Sequence, residues 1–489
     1  LNFGEISSES GSAYGICSTN TGNITNCYND KSVNGEIIAC GDGFTGIGST
    51  TNVNRKTTAE ICGGITKLTG FSDEVWGAGS FDENVTKKNG RLGAQTYTYP
   101  KLTAVTKTAA TRDIEVYNFS TDNTENYDNF TYIETAEDFQ NIDKNLKGNY
   151  VLKNDIELDE NYKPIGSGTN GISANEFTGK FSGNGRKVYG FNIIDESTSS
   201  AKLGLFRINS GTIMNLTVEG NVNGSYSYVG GICGVNNSGG VIVDCSYVGS
   251  VYGISGNVGG ICGENKGTIE RCAADGTVYS NSSSVGGICG KIDGGTIKNC
   301  FNSCDVTGSS DVGGIIGGTG TNNSTVEYCI SVGKVRKVND NNNNYVGGIS
   351  GNYDSRVTIS NCYFDSDVSA GLKAVYYAFE NKDSETVKGL ATAKLCDNLP
   401  EGFNNTIWAK GSIVEEETEG RFGTRTATYI SLKDVGEAKS AGESTPIYNF
   451  GVDDNKTNWR EFTYIETAEQ YKEIFKISGN LSGNYVLGA

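Results

Sequence analysis

Residues 258–278 read VGGICGENKGTIERCAADGTV, and the reading of this stretch decides the fold. It opens on Val-Gly-Gly-Ile-Cys-Gly, reaches an apolar anchor at Ile269, and then sets Cys272 and Val278 at fixed distances beyond it. The opening string recurs. VGGICG starts at Val229, Val258 and Val285, VGGIIG at Val312 and VGGISG at Val346, so successive starts lie 29, 27, 27 and 34 residues apart. The anchor pattern recurs with it, as Ile242/Cys245/Val251, Ile269/Cys272/Val278, Ile297/Cys300/Val306, Val326/Cys329/Val335 and Ile359/Cys362/Val368. One repeat earlier Ile213/Leu216/Val222 fits, with Leu in the Cys place.

Constant spacing within each motif has a physical cause. A slip of one residue turns a strand's side chains to the opposite face, so positions that stack on one another cannot drift. Length changes are absorbed between motifs, as in the Asn341–Asn344 run, which marks exposed turns. A repeat of this length with short strands is too long for a hexapeptide solenoid, and it has neither the leucine-rich pattern nor a helical period. The reading that remains is all-β: a right-handed parallel β-helix, in which stacked coils share hydrogen bonds and one continuous core. Ile232, Ile261, Ile288, Ile315 and Ile349 are then expected to form one buried column. Cys245, Cys272, Cys300, Cys329 and Cys362 form a second, and Val251, Val278, Val306, Val335 and Val368 a third. The glycine pairs Gly230/Gly231, Gly259/Gly260, Gly286/Gly287, Gly313/Gly314 and Gly347/Gly348 are expected at sharp corners, where φ is positive or neighbours crowd closely. The residues after each anchor, such as Asp244, Arg271, Asn299, Tyr328 and Asn361, vary in type and read as solvent-facing filler.

The motif VGGICG…GTIERC…GTV resembles the GLUG repeat of large bacterial surface proteins and adhesins. The flanks fit that resemblance: GNYVLKNDIEL from Gly148 and FTGKFSGNGRKVYGF from Phe177 resemble its opening coils, and TTAEICGGITKLTGF from Thr57 its closing segment. Cys where an aliphatic residue is usual in GGIxG is a departure. The resemblance implies a tandem β-helix protein at the bacterial cell surface.

A longer period overlies the short one. FTYIETAE starts at Phe130 and again at Phe462, 332 residues later; GNYVL at Gly148 recurs at Gly483, and VYNF at Val116 is answered by IYNF at Ile447. The expected organisation is the end of one unit (1–108), a complete unit (109–440) and the start of a third (441–489), cut from a longer array. Within the complete unit, ETAEDFQNIDKNL from Glu134 reads as a short amphipathic helix. Thr135 and Asp138 form a capping box, Ala136, Phe139, Ile142 and Leu146 share one face, Gly148 ends it, and it covers the open end of the β-helix. Residues 101–129 are a linker or an ordered strap.

Composition narrows the function. The 489 residues carry a formal net charge of −17 with no basic run, which repels nucleic acid and anionic membrane. No apolar run is long enough to span a bilayer. The chain opens at Leu1 without Met, so a leader is expected to lie outside the sequence. Histidine is absent, which excludes His-based nucleophile triads and HExxH zinc sites. The 68 glycines would suit a disordered chain, but 26 Tyr and 19 Phe need burial.

Fourteen cysteines invite disulfides in an oxidising compartment. Their positions argue for free, buried thiols instead, because Cys interchanges with Leu216, Phe206, Ile316 and Ser350 at equivalent places, and Cys329 and Cys362 lack an in-coil partner. Connectivity is not readable from sequence. The acidic clusters Asp155/Glu157/Asp159/Glu160, Asp122/Glu125 and Asp453/Asp454 lack an EF-hand or repeat-loop pattern and read as solvated turns. Thr212, Thr268, Thr296 and Thr358 precede anchors and form a partial hydrogen-bonding ladder.

The expectation is an extracellular scaffold, stalk or fibre of the cell surface that is not an enzyme and needs no cofactor. Its partners are neighbouring units of the same polypeptide or further copies end to end. The alternative is an adhesin that recognises a host glycan or protein through loops such as 161–176 and 336–345, with Tyr226, Tyr228, Tyr247, Tyr252 and Tyr279 near turns.

Overall fold

The computed structural model describes residues 76–449 apart from 78–79, 83, 100, 103–110, 123, 161, 168–174, 196–200, 226, 282, 339–344, 378–379, 420–421 and 443–444. Beyond that range it describes 24–30, 50–56, 459–461, 463–465 and 485–487. The chain divides into two compact units, Leu1–Phe130 and Thr131–Ala489.

In the second unit a parallel β-solenoid of about 7 turns accounts for the short repeat. The coil quoted above shows how its residues make it. Val258–Gly259 adds a rung to one sheet, Cys262–Asn265 to a second, and Thr268–Glu270 and Ala273–Ser280 to a third. Each pairs in parallel, in register, with the same motif positions before and after it. Val229, Val258 and Val285 align in the first sheet, Cys233, Cys262 and Cys289 in the second, and Val251, Val278 and Val306 in the third. β-branched residues alternate with small ones, which suits short strands packed on a common interior.

The apolar interior is one cluster running from Ile133 to Val387. Its first end is closed by a helix. Thr135 caps Ala136–Gln140, accepting from the Asp138 amide while the Asp138 carboxylate accepts from the Thr135 amide, and the chain continues as a 3-10 turn, Asn141–Lys144. The helical segment is shorter than expected, ending at Lys144 rather than running up to Gly148. Phe139 is fully buried against Phe181 and Phe206, with ring centroids 5.7 and 6.3 Å away.

The closing segment runs back along the outside of the third sheet. Leu395, Trp408, Tyr429, Ile430 and Leu432 bury themselves against Phe301, Ile330 and Tyr363 of the coils, forming a second apolar cluster. The indole of Trp408 donates to Asn299 at 3.2 Å, and Lys439 reaches Asp275 at 2.7 Å.

Antiparallel pairings of corresponding register occur near residues 92–128 and 422–461. In the first unit Leu92–Thr98 pairs antiparallel with Thr111–Asn118, which pairs with Tyr127–Asp128. In the second, Phe422–Thr428 pairs antiparallel with Thr445–Asn449, which pairs with Trp459–Glu461. The registers correspond: Leu92 faces Tyr117 as Phe422 faces Tyr448, and Gly93 faces Val116 as Gly423 faces Ile447. Of residues 101–129, Thr111–Asn118 and Tyr127–Asp128 are strands of this sheet, while 103–110 and 123 lie outside the described residues. The first coil also recurs, since Thr131 faces Tyr150 and Thr463 faces Tyr485 with the next two pairs in step.

Candidate functional site

The residues singled out in the sequence are columns, and their geometry follows from the coil. Ile232 donates its amide to Ile261, Ile261 to Ile288, Ile288 to Ile315 and Ile315 to Ile349, at 3.0 to 3.1 Å. All five side chains are fully buried, each contributing about 1.5–3 kcal/mol of transfer free energy. Cys245, Cys272, Cys300, Cys329 and Cys362 form an unbroken column below Leu216, since the residues that follow each of them pair in register. Each thiol donates to the carbonyl two residues back at 3.2 to 3.3 Å.

The ten cysteines of the described residues with side chains placed are free and buried. Burial pushes the thiols of Cys233, Cys272, Cys289 and Cys329 well up from the ordinary value, so they stay protonated, while hydrogen bonds from the neighbouring thiols outweigh burial at Cys262 and Cys300 and lower them. The paired cysteine Cys17 lies outside the described residues.

The valine column runs Val222, Val251, Val278, Val306 and Val335 and stops there. Val368 is a correction: it sits half-buried in a turn and pairs with none of them. The carboxylate of Asp365 accepts from the amides of Asp367 and Val368, which bends the chain out of the strand, and the hydroxyl of Ser369 accepts from the Val335 amide instead.

Crowding, not backbone angle, explains the paired glycines. None of the ten has positive φ. A Cβ on Gly230, Gly259, Gly286, Gly313 or Gly347 would overlap the carbonyl oxygen three residues on, at Cys233, Cys262, Cys289, Ile316 or Ser350. The second glycine of each pair faces the interior of the third sheet. Gly231 lies on the Tyr247 ring, Gly287 on Asn302, Gly314 on Ser331 and Gly348 on Phe364, while Gly260 faces Ala274.

The left-handed backbone falls elsewhere, which corrects the reading of the post-anchor residues as filler. Asn215, Asp244, Arg271, Asn299, Tyr328 and Asn361 all have φ between 50 and 55°. They stand immediately before the Leu216–Cys362 column, where each coil bends between two strands of the third sheet. Asn and Asp tolerate this conformation, whereas Arg271 and Tyr328 are compensated. Arg271 grips Asp244 through two hydrogen bonds, at 2.6 and 3.0 Å, and Tyr328 packs on Phe403.

A buried asparagine ladder was not foreseen. Asn209 donates to Asn236 and Asn236 to Asn265, each at 2.8 Å, and Asn265 caps the run by donating to the Thr296 carbonyl at 3.2 Å. The threonines Thr212, Thr268, Thr296 and Thr358 do share one row, with Val241 and Thr325 filling its other places.

Among the described residues no three His, Cys, Asp or Glu side chains are grouped to hold a metal ion. Asp453 and Asp454 lie outside them. Tyr247 is buried, donating to the Gly220 carbonyl at 2.7 Å, so it offers no surface. Tyr252 and Tyr279 stack in parallel on successive coils at 5.3 Å, half-exposed. Tyr226, with parts of the 161–176 and 336–345 loops, lies outside the described residues.

Among the described residues a cleft of about 410 Å3 is lined by Glu160, residues 162–164 and Ser167 and by parts of the strands Lys180–Asp195 and Phe206–Asn209. Lys163 and Arg207 line it, together with Glu160 and Asp195, and Leu203 and Ile193 form an apolar floor.

The fold places the chain among parallel β-solenoids. No protein family matches it, and no curated protein does. A solved structure, "IgA1 Protease", is similar over 65% of this chain and 25% of that one, with 13% identity and a TM-score of 0.33. The match therefore spans a quarter of the other chain's length. It corrects one expectation: a structure resembling this chain carries an enzyme's name, so the statement that the chain is not an enzyme is withdrawn. At that TM-score the likeness transfers no activity and no catalytic residue to this chain. No helix of the described residues is long and apolar enough to cross a membrane.

Proposed function

We propose that the chain is part of an extracellular scaffold, a stalk or fibre of a bacterial cell surface, built from units joined end to end in one polypeptide. One observation carries the reading. The joint sheet and the first coil occur twice with corresponding register, so one rule of construction serves successive units. The resemblance of the VGGICG coils to GLUG repeats supports the surface location. The net charge of −17 suits a solvated surface assembly that avoids nucleic acid and anionic membrane. Neighbouring units, or copies of the chain end to end, are the partners of this reading. Electron microscopy of native material tests it: rods with a repeat matching one 332-residue unit support it, and monodisperse single units at high concentration overturn it.

A second reading, recognition of a host glycan or protein, is favoured by the cleft beside residues 162–167. A glycan array tests it, and a blank array removes it.

A further inference from the structure

We propose that the closing segment, residues 391–411 and 429–441, is a clasp that opens as one piece while the coils stay folded, and that its opening uncovers an apolar strip on the outer face of the third sheet. Three observations carry it.

The first is a second core. Ala273, Phe301, Ile330 and Tyr363 are in-register neighbours in the third sheet. Each directly follows a column cysteine, Cys272, Cys300, Cys329 or Cys362, so the alternation of a strand turns it outward. In the preceding coils the same row holds Lys187, Thr217 and Ser246. The row is therefore apolar only where the closing segment lies on it. Leu395, Phe403, Trp408, Ile430 and Leu432 cover it, in a cluster apart from the coil interior.

The second observation is the manner of attachment. Among the described residues no strand of the closing segment pairs with a strand of the coils. The hydrogen bonds to the coils run through side chains: Trp408 to Asn299, Tyr429 and Thr392 to Asp365, and Lys439 to Asp275. The last of these is a half-exposed ion pair and adds little. The backbone of the segment closes on itself instead. Ile430 donates to Leu395 and Lys433 to Ile407, both at 2.8 Å, and Tyr429 donates to Lys439 at 2.9 Å.

The third is that the coils are complete beneath it. Val387–Leu390, not the closing segment, forms the last rung of the third sheet. When Tyr429 and Thr392 leave, the Asp365 carboxylate keeps the amides of Asp367 and Val368 and gains water. Opening thus hydrates this group rather than leaving it buried and unpaired, which is the costly outcome. A piece with its own small core and no shared ladder opens locally, at a free energy below that of global unfolding. The same piece carries the joint strands Ser412–Glu419 and Phe422–Thr428, so a pull applied there loads the clasp before any coil rung.

Cysteine labelling of the intact chain tests the opening. Cys396 lies in the core of the clasp, while Cys245, Cys272, Cys300, Cys329 and Cys362 lie in the coil interior. In urea too dilute to change the far-ultraviolet circular dichroism, maleimide followed by peptide mapping is expected to modify Cys396 and to leave those five unmodified. Tyr429→Phe is expected to speed the Cys396 reaction about tenfold or more and to leave the five protected. Lys439→Gln speeds it by a smaller factor and serves if Tyr429→Phe fails to fold. A second probe is independent of the thiols. Trp76→Phe with Trp459→Phe leaves Trp408 as the one tryptophan, and its fluorescence is expected to change at lower urea than the circular dichroism does. Labelling of all six cysteines together, a Cys396 rate unmoved by both substitutions, or coincident transitions of fluorescence and circular dichroism overturns the proposal.

Discussion

The phenol of Tyr429 donates a 2.7 Å hydrogen bond to the carboxylate of Asp365, which lies in the last strands of the solenoid, 64 residues earlier. Asp365 is buried, and the Thr392 hydroxyl donates to the same oxygen at 2.7 Å. One carboxylate thus bends the last coil, through Asp367 and Val368, and holds the closing segment down. Tyr429→Phe leaves that buried charge short of a donor and is expected to cost about 1.5–3 kcal/mol in urea unfolding. A loss below about 0.5 kcal/mol, the level of an ordinary surface change, contradicts the clasp.

The left-handed column makes a separate prediction at Asn361, whose φ is 50°. Asn361→Gly is expected to leave stability within about 0.5 kcal/mol, and Asn361→Val to cost about 1–2 kcal/mol or more. Thermal unfolding of both variants checks the order. The reverse order contradicts a backbone constraint at this position.

Among the paired glycines the cost comes from space. A Cβ on Gly260 overlaps the Gly287 carbonyl oxygen and meets the Ala274 Cβ at 2.9 Å, so Gly260→Ala is expected to cost about 1–3 kcal/mol. Gly371 has φ of 81° and nothing within 4 Å of an added Cβ, so Gly371→Ala carries only the conformational strain of about 1–2 kcal/mol, and Gly371→Asn, which tolerates that φ, recovers most of it. No Asn variant rescues Gly260. Chemical denaturation of the four variants reads the difference.

Alkali is expected to destabilise the fold. Burial raises the thiols of Cys233, Cys272, Cys289 and Cys329 above their ordinary 9.0, and burial, aided by the nearby Asp365 carboxylate, pushes Cys396 up to about 11. In the unfolded chain these thiols ionise near 9.0, while in the folded chain they keep their protons. Above 9.0 the unfolded state then binds fewer protons, so the stability these raised thiols contribute is whole below pH 9.0 and falls as pH rises above it. Tyr247 and Tyr429, raised above 10.0 by burial, extend the loss. Urea midpoints between pH 7 and 11 measure it; a flat profile contradicts buried neutral thiols. Maleimide labelling gives an independent check, with these cysteines reacting only after denaturant is added.

How far the sequence revealed this fold depends on what each position must satisfy. The isoleucine and cysteine columns were legible because a buried place accepts few side chains, so Ile261, Ile288 and Cys272 recur at fixed spacing. The left-handed column was not, because its demand falls on φ. Asn299, Arg271 and Tyr328 look unrelated as side chains. The asparagine ladder ends after three rungs, where Ile292 takes the place of Asn265, so no long pattern marks it. Val368 kept the right spacing and still left its column, because Asp365 turns the chain first. Asp365 and Tyr429 are brought together only by the coil geometry, from positions no local motif relates.

The central claim is that successive coils superpose residue for residue. Measuring the Ile232, Ile261, Ile288, Ile315 and Ile349 Cα positions in an experimental electron density map tests it most directly. Five atoms in one line are expected, each about 4.8 Å from the next, with every side chain turned to the same interior. A map that places any of the five on an outer face, or off that line by a full strand spacing, contradicts it.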